Sequence, residues 1–234
     1  IKEFFGKERI FLDQRKTLVV LLGSFADFDS FEYSQQLSAQ SKNLYNHSVD
    51  LILIGIGSEK SKELFCRFNK IDTKNVFAVK NAALHKKLNL KEGFVSPMPA
   101  IFNLLLMCAG INSRGTIKEV LRGYFGDKNG ERLFASDDEI NLGNFFLFKG
   151  EMFDIFSKKH LRPFELATRR LMNMIEILSN WNTYVPNSKF LTQRGATILL
   201  NEKDEVLYKF ICESLLGYSR KMSTPLSFLD DFLN

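Results

Sequence analysis

The sequence predicts an α/β protein in which helices flank a central mixed sheet. In the first part of the chain, apolar, β-rich runs at residues 17–22, 50–56 and 76–79 alternate with helix-like segments. This order is typical of parallel strands joined by right-handed helical crossovers. Towards the other end, residues 196–200 and 205–210 form two further β-rich runs separated by a short polar turn, which is the pattern of an antiparallel hairpin.

The first strand and the turn after it organise the rest of the prediction. Residues 17–22 are almost continuously apolar and end at Gly23, as expected of a strand buried on both faces. A helix follows, and either Asp29 or Ser30 can cap it. Glu32 lies three residues after Asp29, which is the spacing of a capping box, so capping is the favoured role of this acidic group.

The next elements follow the same reasoning. Three residues share one face of the first helix at steps of four and seven and are expected to be buried: Tyr33, Leu37 and Leu44. Residues 50–56 form the second strand, and Ser58 caps the helix that follows. Before the first strand, a strand or helix start is expected around residues 4–11.

The middle of the chain is predicted to be helical and is interpreted as an insertion, at about residues 96–181, within a single domain. Helices are expected over residues 100–109 and 116–124, followed by a charged, structure-poor stretch at 126–143. A long helix then begins with Pro163 as its first residue. Its expected core stripe consists of Phe164, Ala167, Leu171, Met174, Ile175 and Leu178.

The composition excludes several classes of protein. With 45% hydrophobic and 25% charged residues, the 234-residue chain suits one folded domain and not a disordered segment. The net charge is +5, but basic residues are spread among acidic ones, so neither a nucleic-acid partner nor a polybasic membrane patch is expected. The longest apolar run, residues 99–111, is too short to span a bilayer. The chain begins with Ile, so a preceding segment is left open.

Three cysteines, Cys66, Cys108 and Cys212, form neither a Cys-x-x-Cys pair nor a zinc-site pattern, and no metal or cofactor is expected. This odd, widely spaced set fits a reducing compartment. Cys108, within an apolar helix, is interpreted as a small core residue. Cys66 is the better redox candidate because the neighbouring Arg67 favours a thiolate. Cys212 precedes a last helix, expected near residues 215–222, and should be partly exposed.

Several segments, taken together, resemble one protein family. They are residues 18–22 (LVVLL), 27–33 (DFDSFEY), 104–110 (LLLMCAG), 122–127 (RGYFGD), 162–168 (RPFELAT), 178–186 (LSNWNTYVP), 192–200 (TQRGATILL) and 224–229 (TPLSFL). In these segments the chain is similar to the peroxiredoxin-like proteins of the alkyl-hydroperoxide-reductase/thiol-specific-antioxidant type. These are thioredoxin-superfamily proteins of cyanobacteria and plastids. The resemblance implies a thioredoxin-like fold with a helical insertion.

The resemblance departs from the peroxidases at one place. Those enzymes carry a peroxidatic cysteine in the first turn after the opening strand, where this chain has Asp27, Phe28, Asp29 and Ser30. Without a thiolate there, peroxide reduction by the usual route has no nucleophile. The resemblance thus implies a non-catalytic interaction or assembly protein. It also implies a protein partner in a membrane photosynthetic complex, and a location in the cytoplasm or stroma or at the surface of the thylakoid membrane.

Two alternatives stay open. The chain could be a thiol oxidoreductase, an antioxidant enzyme whose reactive cysteine is Cys66 or Cys212. It could also bind a small ligand in the cleft over the start of the first helix.

Two groups of candidate site residues follow from this interpretation. The first, called the acidic loop below, consists of Asp27, Asp29, Ser30 and Glu32. In peroxiredoxins an arginine near the site polarises peroxide; in this chain Arg194 is expected to form a salt bridge with Asp27 or Asp29. The second group lies in the charged stretch, a basic patch and the Phe-rich tail, where a protein partner is expected to dock: Lys128, Arg132, Lys158, Lys159, Phe228 and Phe232.

Overall fold

A computed structural model describes residues 15–143 and 146–232 of the chain. The strand or helix start expected around residues 4–11 lies outside them. The strands are β1 (Lys16–Ser24), β2 (Val49–Ile56), β3 (Val76–Val79), β4 (Glu139–Asn141), β5 (Leu147–Lys149), β6 (Ala196–Leu200) and β7 (Val206–Ile211). The helices are α1 (Phe28–Asn46), α2 (Glu59–Asn69), α3 (Ala83–Lys87), α4 (Ala100–Cys108), α5 (Thr116–Phe125), α6 (Glu165–Ser179) and α7 (Trp181–Tyr184).

A five-stranded mixed sheet forms the centre of the fold, in the order β3-β2-β1-β6-β7. β1, β2 and β3 are parallel, whereas β6 is antiparallel to β1 and β7 is antiparallel to β6. Val19 in the middle of β1 pairs with Ile52 on one side and with Ile198 on the other. This sheet, with helices on its flanks, confirms the predicted thioredoxin-like α/β fold and the predicted hairpin.

β1 is buried on both faces, as its apolar run predicts. Because successive side chains of a strand point to opposite faces, Leu18, Val20 and Leu22 pack into the core that also holds residues of α1 and α2. Val19 and Leu21 pack into a second core on the other face, with residues of β2 and β6. The carboxyl end of β1 is therefore held rigidly between two cores.

The predicted contacts of α1 and α2 are confirmed. The three residues of the expected face of α1 are buried: Tyr33, Leu37 and Leu44. Ser58 caps α2 in a capping box with Ser61. The backbone N–H of Ser61 donates to the Ser58 hydroxyl at 3.1 Å, and the backbone N–H of Ser58 donates to the Ser61 hydroxyl at 2.7 Å.

The start of α6 differs from the prediction. The helix begins at Glu165, because Phe164 just before it adopts a left-handed backbone conformation with φ 65°. Pro163 is therefore not the first helical residue. The helix ends at Ser179, and the short α7 continues the chain in a separate turn.

The predicted core stripe of α6 is also wrong. Three of its six residues are exposed: Phe164, Leu171 and Leu178. The buried residues are Glu165, Leu166, Asn173 and Ile177. On the packed side, Arg170 Nε donates to Glu32 Oε2 of α1 at 2.7 Å. An ion pair to α1 thus orients α6, and hydrophobic periodicity alone could not reveal it.

The stretch 126–143 contains little regular secondary structure, as expected, but its packing was not predicted. Phe134, Ile140 and Leu142 form a small separate core with Phe153. β4 pairs with β5 in an antiparallel ribbon. The stretch is a folded part of the molecule because its few apolar residues find partners in the segment that precedes α6.

The prediction of a helix near residues 215–222 is also wrong. Leu216 has φ 57°, and its backbone N–H donates to a carboxylate of α1 in place of continuing a helix. Beyond it, the tail contains a 3-10 turn at Ser227–Asp231. Phe228 stacks on Tyr208 of β7, with ring centroids 4.1 Å apart. The tail therefore packs against the sheet.

Candidate functional site at the carboxyl end of β1

Four segments meet where β1 ends: the loop at residues 23–27, the first turn of α1, the segment 192–195 and the irregular segment 214–218. Antiparallel pairing of β1 with β6 brings the end of β1 beside the start of β6. The approach is close at Gly23, where a Cβ atom would lie 2.1 Å from the carbonyl oxygen of Gln193. Glycine is required there because any side chain would push the two segments apart.

Arg194 is the centre of this junction. Its Nη1 donates to Asp29 Oδ2 at 3.0 Å, its Nη2 lies 3.4 Å from Asp27 Oδ1, and its Nε donates to the carbonyl oxygen of Thr192 at 2.9 Å. The expected salt bridge is confirmed by the contact of Arg194 with Asp29, and Asp27 adds a second, longer contact. Burial opposes the charge of Arg194, but the two carboxyl groups outweigh burial and raise the pKa of the guanidinium.

The predicted capping role of the acidic loop is wrong. α1 begins at Phe28 with Asp27 as its N-cap residue, and the Asp27 side chain accepts no capping hydrogen bond. Asp29 lies inside the first turn, and its Oδ2 accepts from the backbone N–H of Leu216 at 2.8 Å. Glu32 binds Arg170 and does not close a capping box. These carboxylates serve contacts with distant segments.

The surroundings of the two aspartates shift their pKa values in opposite directions. Burial raises the pKa of Asp27 well above its usual range, and repulsion by Asp29 adds to the rise. Burial also acts on Asp29, but the Arg194 charge and hydrogen bonds hold its pKa below the usual range. A side-chain hydrogen bond between the two carboxyl groups adds to both shifts, raising the pKa of Asp27 and lowering that of Asp29. The cluster therefore favours the neutral form of Asp27 and the ionised form of Asp29.

Two hydroxyl groups complete the junction. The backbone N–H of Gly23 donates to the Tyr218 hydroxyl at 3.0 Å. Ser30 Oγ donates to Asp27 Oδ2 at 2.9 Å, so Tyr218, 3.0 Å away, donates to Ser30. Burial raises the pKa of Tyr218, which keeps its proton. Sequence reasoning missed Tyr218, because no local motif links it to a serine 188 residues earlier.

The junction is closed to solvent. Five side chains are at most 1% exposed: Asp27, Asp29, Ser30, Arg194 and Tyr218. Apart from Asp29 Oδ1, their polar side-chain atoms have hydrogen-bond partners among the described residues, and none of the five is a thiol. As described, the arrangement binds segments together and presents no reactive group to a substrate.

Burial has the largest effect on the pKa of all three cysteines, although charged groups lie near each of them. All three are free thiols. Burial raises the pKa of Cys66 to about 11 and outweighs the charge of Lys62, so the expectation that a cation activates this thiol is wrong. Cys212 is fully buried, not partly exposed, and burial raises its pKa well above the usual value. Cys108 is half-buried, with a pKa raised to about 11 by burial.

The fold brings most of the charged partner-site candidates together. Arg132 Nη1 donates to the carbonyl oxygen of Lys158 at 3.2 Å. Asp127 pairs with Leu161 in a short antiparallel bridge, which places Lys128 in the same region. Lys128 and Lys158 are exposed, as is Lys159. In contrast, two candidates from the tail pack against the main core and offer little free surface: Phe228 and Phe232.

A second buried charge cluster lies before α6 and was not predicted. Arg162 is fully buried, and its Nη2 donates to Glu165 Oε1 at 2.6 Å and to the carbonyl oxygen of Phe134 at 2.7 Å. Glu165 also accepts from the backbone N–H groups of Leu133 and Phe134. The Arg-x-x-Glu spacing is the only sequence signal for this cluster. It anchors the stretch 126–143 to α6.

A cleft of about 390 Å³ opens next to the acidic loop, at the carboxyl ends of β1, β2 and β3. Its lining includes Ser24, Ser58, Lys80, Tyr184 and Phe190. This is the usual place for ligands in open α/β sheets.

Residues 15–143 and 146–232 contain no group of three His, Cys, Asp or Glu side chains arranged to hold a metal ion. In the same residues, no helix is both long and apolar enough to cross a membrane.

The comparisons with known proteins point to one family. The AhpC/TSA antioxidant enzyme family matches residues 36–214, which is most of the chain. The match begins inside α1, after Asp27 and Asp29, and ends just beyond β7. Curated proteins and solved structures gave no significant match.

The junction predicts that the two aspartates respond differently to amidation. Asp29→Asn should reduce the free energy of unfolding by about 3–5 kcal/mol, because it leaves Arg194 buried without its ionised partner. Asp27→Asn should cost only about 1 kcal/mol, because burial and repulsion by Asp29 favour the neutral form of Asp27, which an amide resembles. Urea unfolding measured by circular dichroism gives both values, with the exposed Asp137→Asn as the control. If Asp29 were only a helix cap, Asn would replace it almost without loss, and a small effect would contradict the ion-pair account.

Proposed function

The chain belongs to the AhpC/TSA antioxidant enzyme family, and we propose that this member is a non-catalytic, thioredoxin-like interaction or assembly protein. The observation that carries the proposal is the closed junction of Arg194, Asp27 and Asp29. Two buried carboxyl groups and a guanidinium occupy the first turn after β1, where the peroxidases that the sequence resembles place their cysteine. A salt bridge that joins three segments supports a structural role for this turn.

The surroundings of the thiols support the same proposal. Thiol chemistry with peroxides or disulfides requires a thiolate that the substrate can reach. Burial disfavours the thiolate at Cys66, Cys108 and Cys212. The alternative hypothesis of an oxidoreductase relies on Cys66 or Cys212, and both are buried. An oxidoreductase would have to open the core before each turnover.

The proposed partner is a protein of a membrane photosynthetic complex. The resemblance to proteins of cyanobacteria and plastids supports this setting, and with it a location in the cytoplasm or stroma or at the surface of the thylakoid membrane.

The proposed docking surface is a basic patch made of Lys128, Lys158 and Lys159. All three side chains are exposed, and among the described residues none forms an ion pair with a carboxylate. The nearby Asp154 is paired with Arg162, which leaves the patch positive. Such a patch fits an acidic surface on the partner.

The purified chain, supplied with thioredoxin, thioredoxin reductase and NADPH, should not consume hydrogen peroxide faster than a control in which all three cysteines are serine. The reason is that no thiol is both exposed and ionised. NADPH oxidation at 340 nm measures the rate. Turnover that disappears in Cys66→Ser or Cys212→Ser would support the antioxidant enzyme and refute the non-catalytic proposal.

Charge reversal of the basic patch should weaken capture of the partner. The triple variant Lys128→Glu, Lys158→Glu, Lys159→Glu should lose most of the protein that the wild type retains from native membranes, as quantified by mass spectrometry. The matched control reverses three exposed lysines elsewhere: Lys42, Lys60 and Lys203. Point variants are preferable to deleting part of the stretch 126–143. Phe134 in that stretch belongs to the small core, and its backbone N–H donates to Glu165. Equal loss in both triple variants, or none in either, would contradict this docking surface.

A further inference from the structure

α5 turns its apolar side outward. Four of its residues, at positions i, i+4, i+7 and i+8, form the stripe that normally faces a core: Ile117, Leu121, Tyr124 and Phe125. They are instead 52%, 46%, 49% and 75% exposed, respectively. The residues that α5 buries are Thr116 and Gly123. α5 is therefore amphipathic, but its apolar side faces solvent, whereas the apolar side of an ordinary surface helix faces the core.

The contacts of α5 with α6 hold it in this orientation. A Cβ atom on Gly123 would lie 3.1 Å from Arg170 Nη1 and 3.4 Å from the backbone nitrogen of Ala167, so α5 approaches α6 through its smallest residue. Arg170 Nη1 also donates to the carbonyl oxygen of Glu119 at 2.7 Å. Because Arg170 is itself paired with Glu32, the outward stripe is built into the packing of three helices.

Neighbouring aromatic rings extend the stripe. The ring of Phe164 lies 6.1 Å from that of Tyr124, and the ring of Phe156 lies 6.3 Å from that of Phe164. Both phenylalanines are about half exposed. The set called the apolar face below consists of Ile117, Leu121, Tyr124, Phe125, Phe156 and Phe164. A continuous exposed patch of this kind marks an interaction surface.

The charges beside the apolar face are mostly positive. Four exposed basic residues lie next to it in the chain: Arg114, Lys118, Lys158 and Lys159. Glu151 is an exposed acid in the same region, but two others are used in ion pairs: Glu119 with Arg122 and Asp154 with Arg162. These basic residues come from two separate segments, which the ring contacts of Phe164 with Tyr124 and with Phe156 bring together.

We propose that the apolar face is a docking surface for an anionic lipid bilayer. Aromatic and aliphatic side chains flanked by basic ones match the boundary between acyl chains and negative headgroups, where peripheral helices bind. The surplus of positive charge favours a lipid surface over a second copy of the chain, which would bring the same positive charges together. The lipid contact shares Lys158 and Lys159 with the basic patch of the proposed function, but it rests on α5. Variants at Phe125, Arg114 and Lys118, which leave that patch intact, therefore test it separately from the choice of protein partner.

The test measures sedimentation of the full chain with vesicles. Vesicles of phosphatidylcholine with about one third phosphatidylglycerol should bind several-fold more protein than vesicles of phosphatidylcholine alone, and added salt should weaken the binding. Phe125→Ser should reduce binding at least about fivefold, since it removes the most exposed ring of the face. The double variant Arg114→Glu, Lys118→Glu should remove the preference for anionic vesicles.

Two matched controls test specificity. Tyr45→Ser removes an aromatic ring that is 70% exposed in the last turn of α1, and Lys42→Glu with Lys60→Glu reverses two charges outside the face. Both should bind vesicles like the wild type. Absence of binding to anionic vesicles, or equal loss in the control variants, would overturn the proposal. A dimer in solution that Phe125→Ser converts to a monomer would also overturn it, by showing that a second copy covers the face.

Discussion

The buried ion pair between Arg194 and Asp29 is the interaction on which the rest of the structure depends. An isolated buried charge is costly, so the pair is tolerable only because further groups satisfy each partner. The Thr192 carbonyl oxygen and the Asp27 carboxyl group accept hydrogen bonds from Arg194, and the backbone N–H of Leu216 donates a hydrogen bond to Asp29. The entry to β6, the start of α1 and the segment after β7 are thereby tied to the end of β1.

This constraint also accounts for the character of the site. In a thioredoxin-like fold, a group at the start of α1 lies at the positive end of the helix dipole, where a thiolate is stabilised. Here the ionised Asp29 occupies the first turn, and the Arg194 guanidinium neutralises it from the β6 side. With Tyr218 closing the remaining side, the position that would suit a thiolate is occupied by a buried polar cluster.

The sequence predicted those features that short-range patterns determine. The strands, the hairpin and the Ser58 cap were correct because each depends on neighbours a few residues away. The role of Asp29 was misread because its partners, Arg194 and Leu216, are distant in the chain, whereas the capping pattern is local. The predicted core stripe of α6 failed for a related reason: Arg170 decides which side of α6 packs, whereas hydrophobic periodicity assumes that the largest apolar residues do.

We propose that the buried junction leaves the chain without a reactive thiol, and the rate of thiol alkylation measures whether it does. The native chain is treated with iodoacetamide at mildly alkaline pH, and mass spectrometry follows labelling of each cysteine beside a urea-denatured sample. The account predicts that Cys66 and Cys212 label at least about 100-fold more slowly in the native chain, because labelling must await local opening. A cysteine that labels in the native chain as fast as in the denatured chain, or faster, would contradict it.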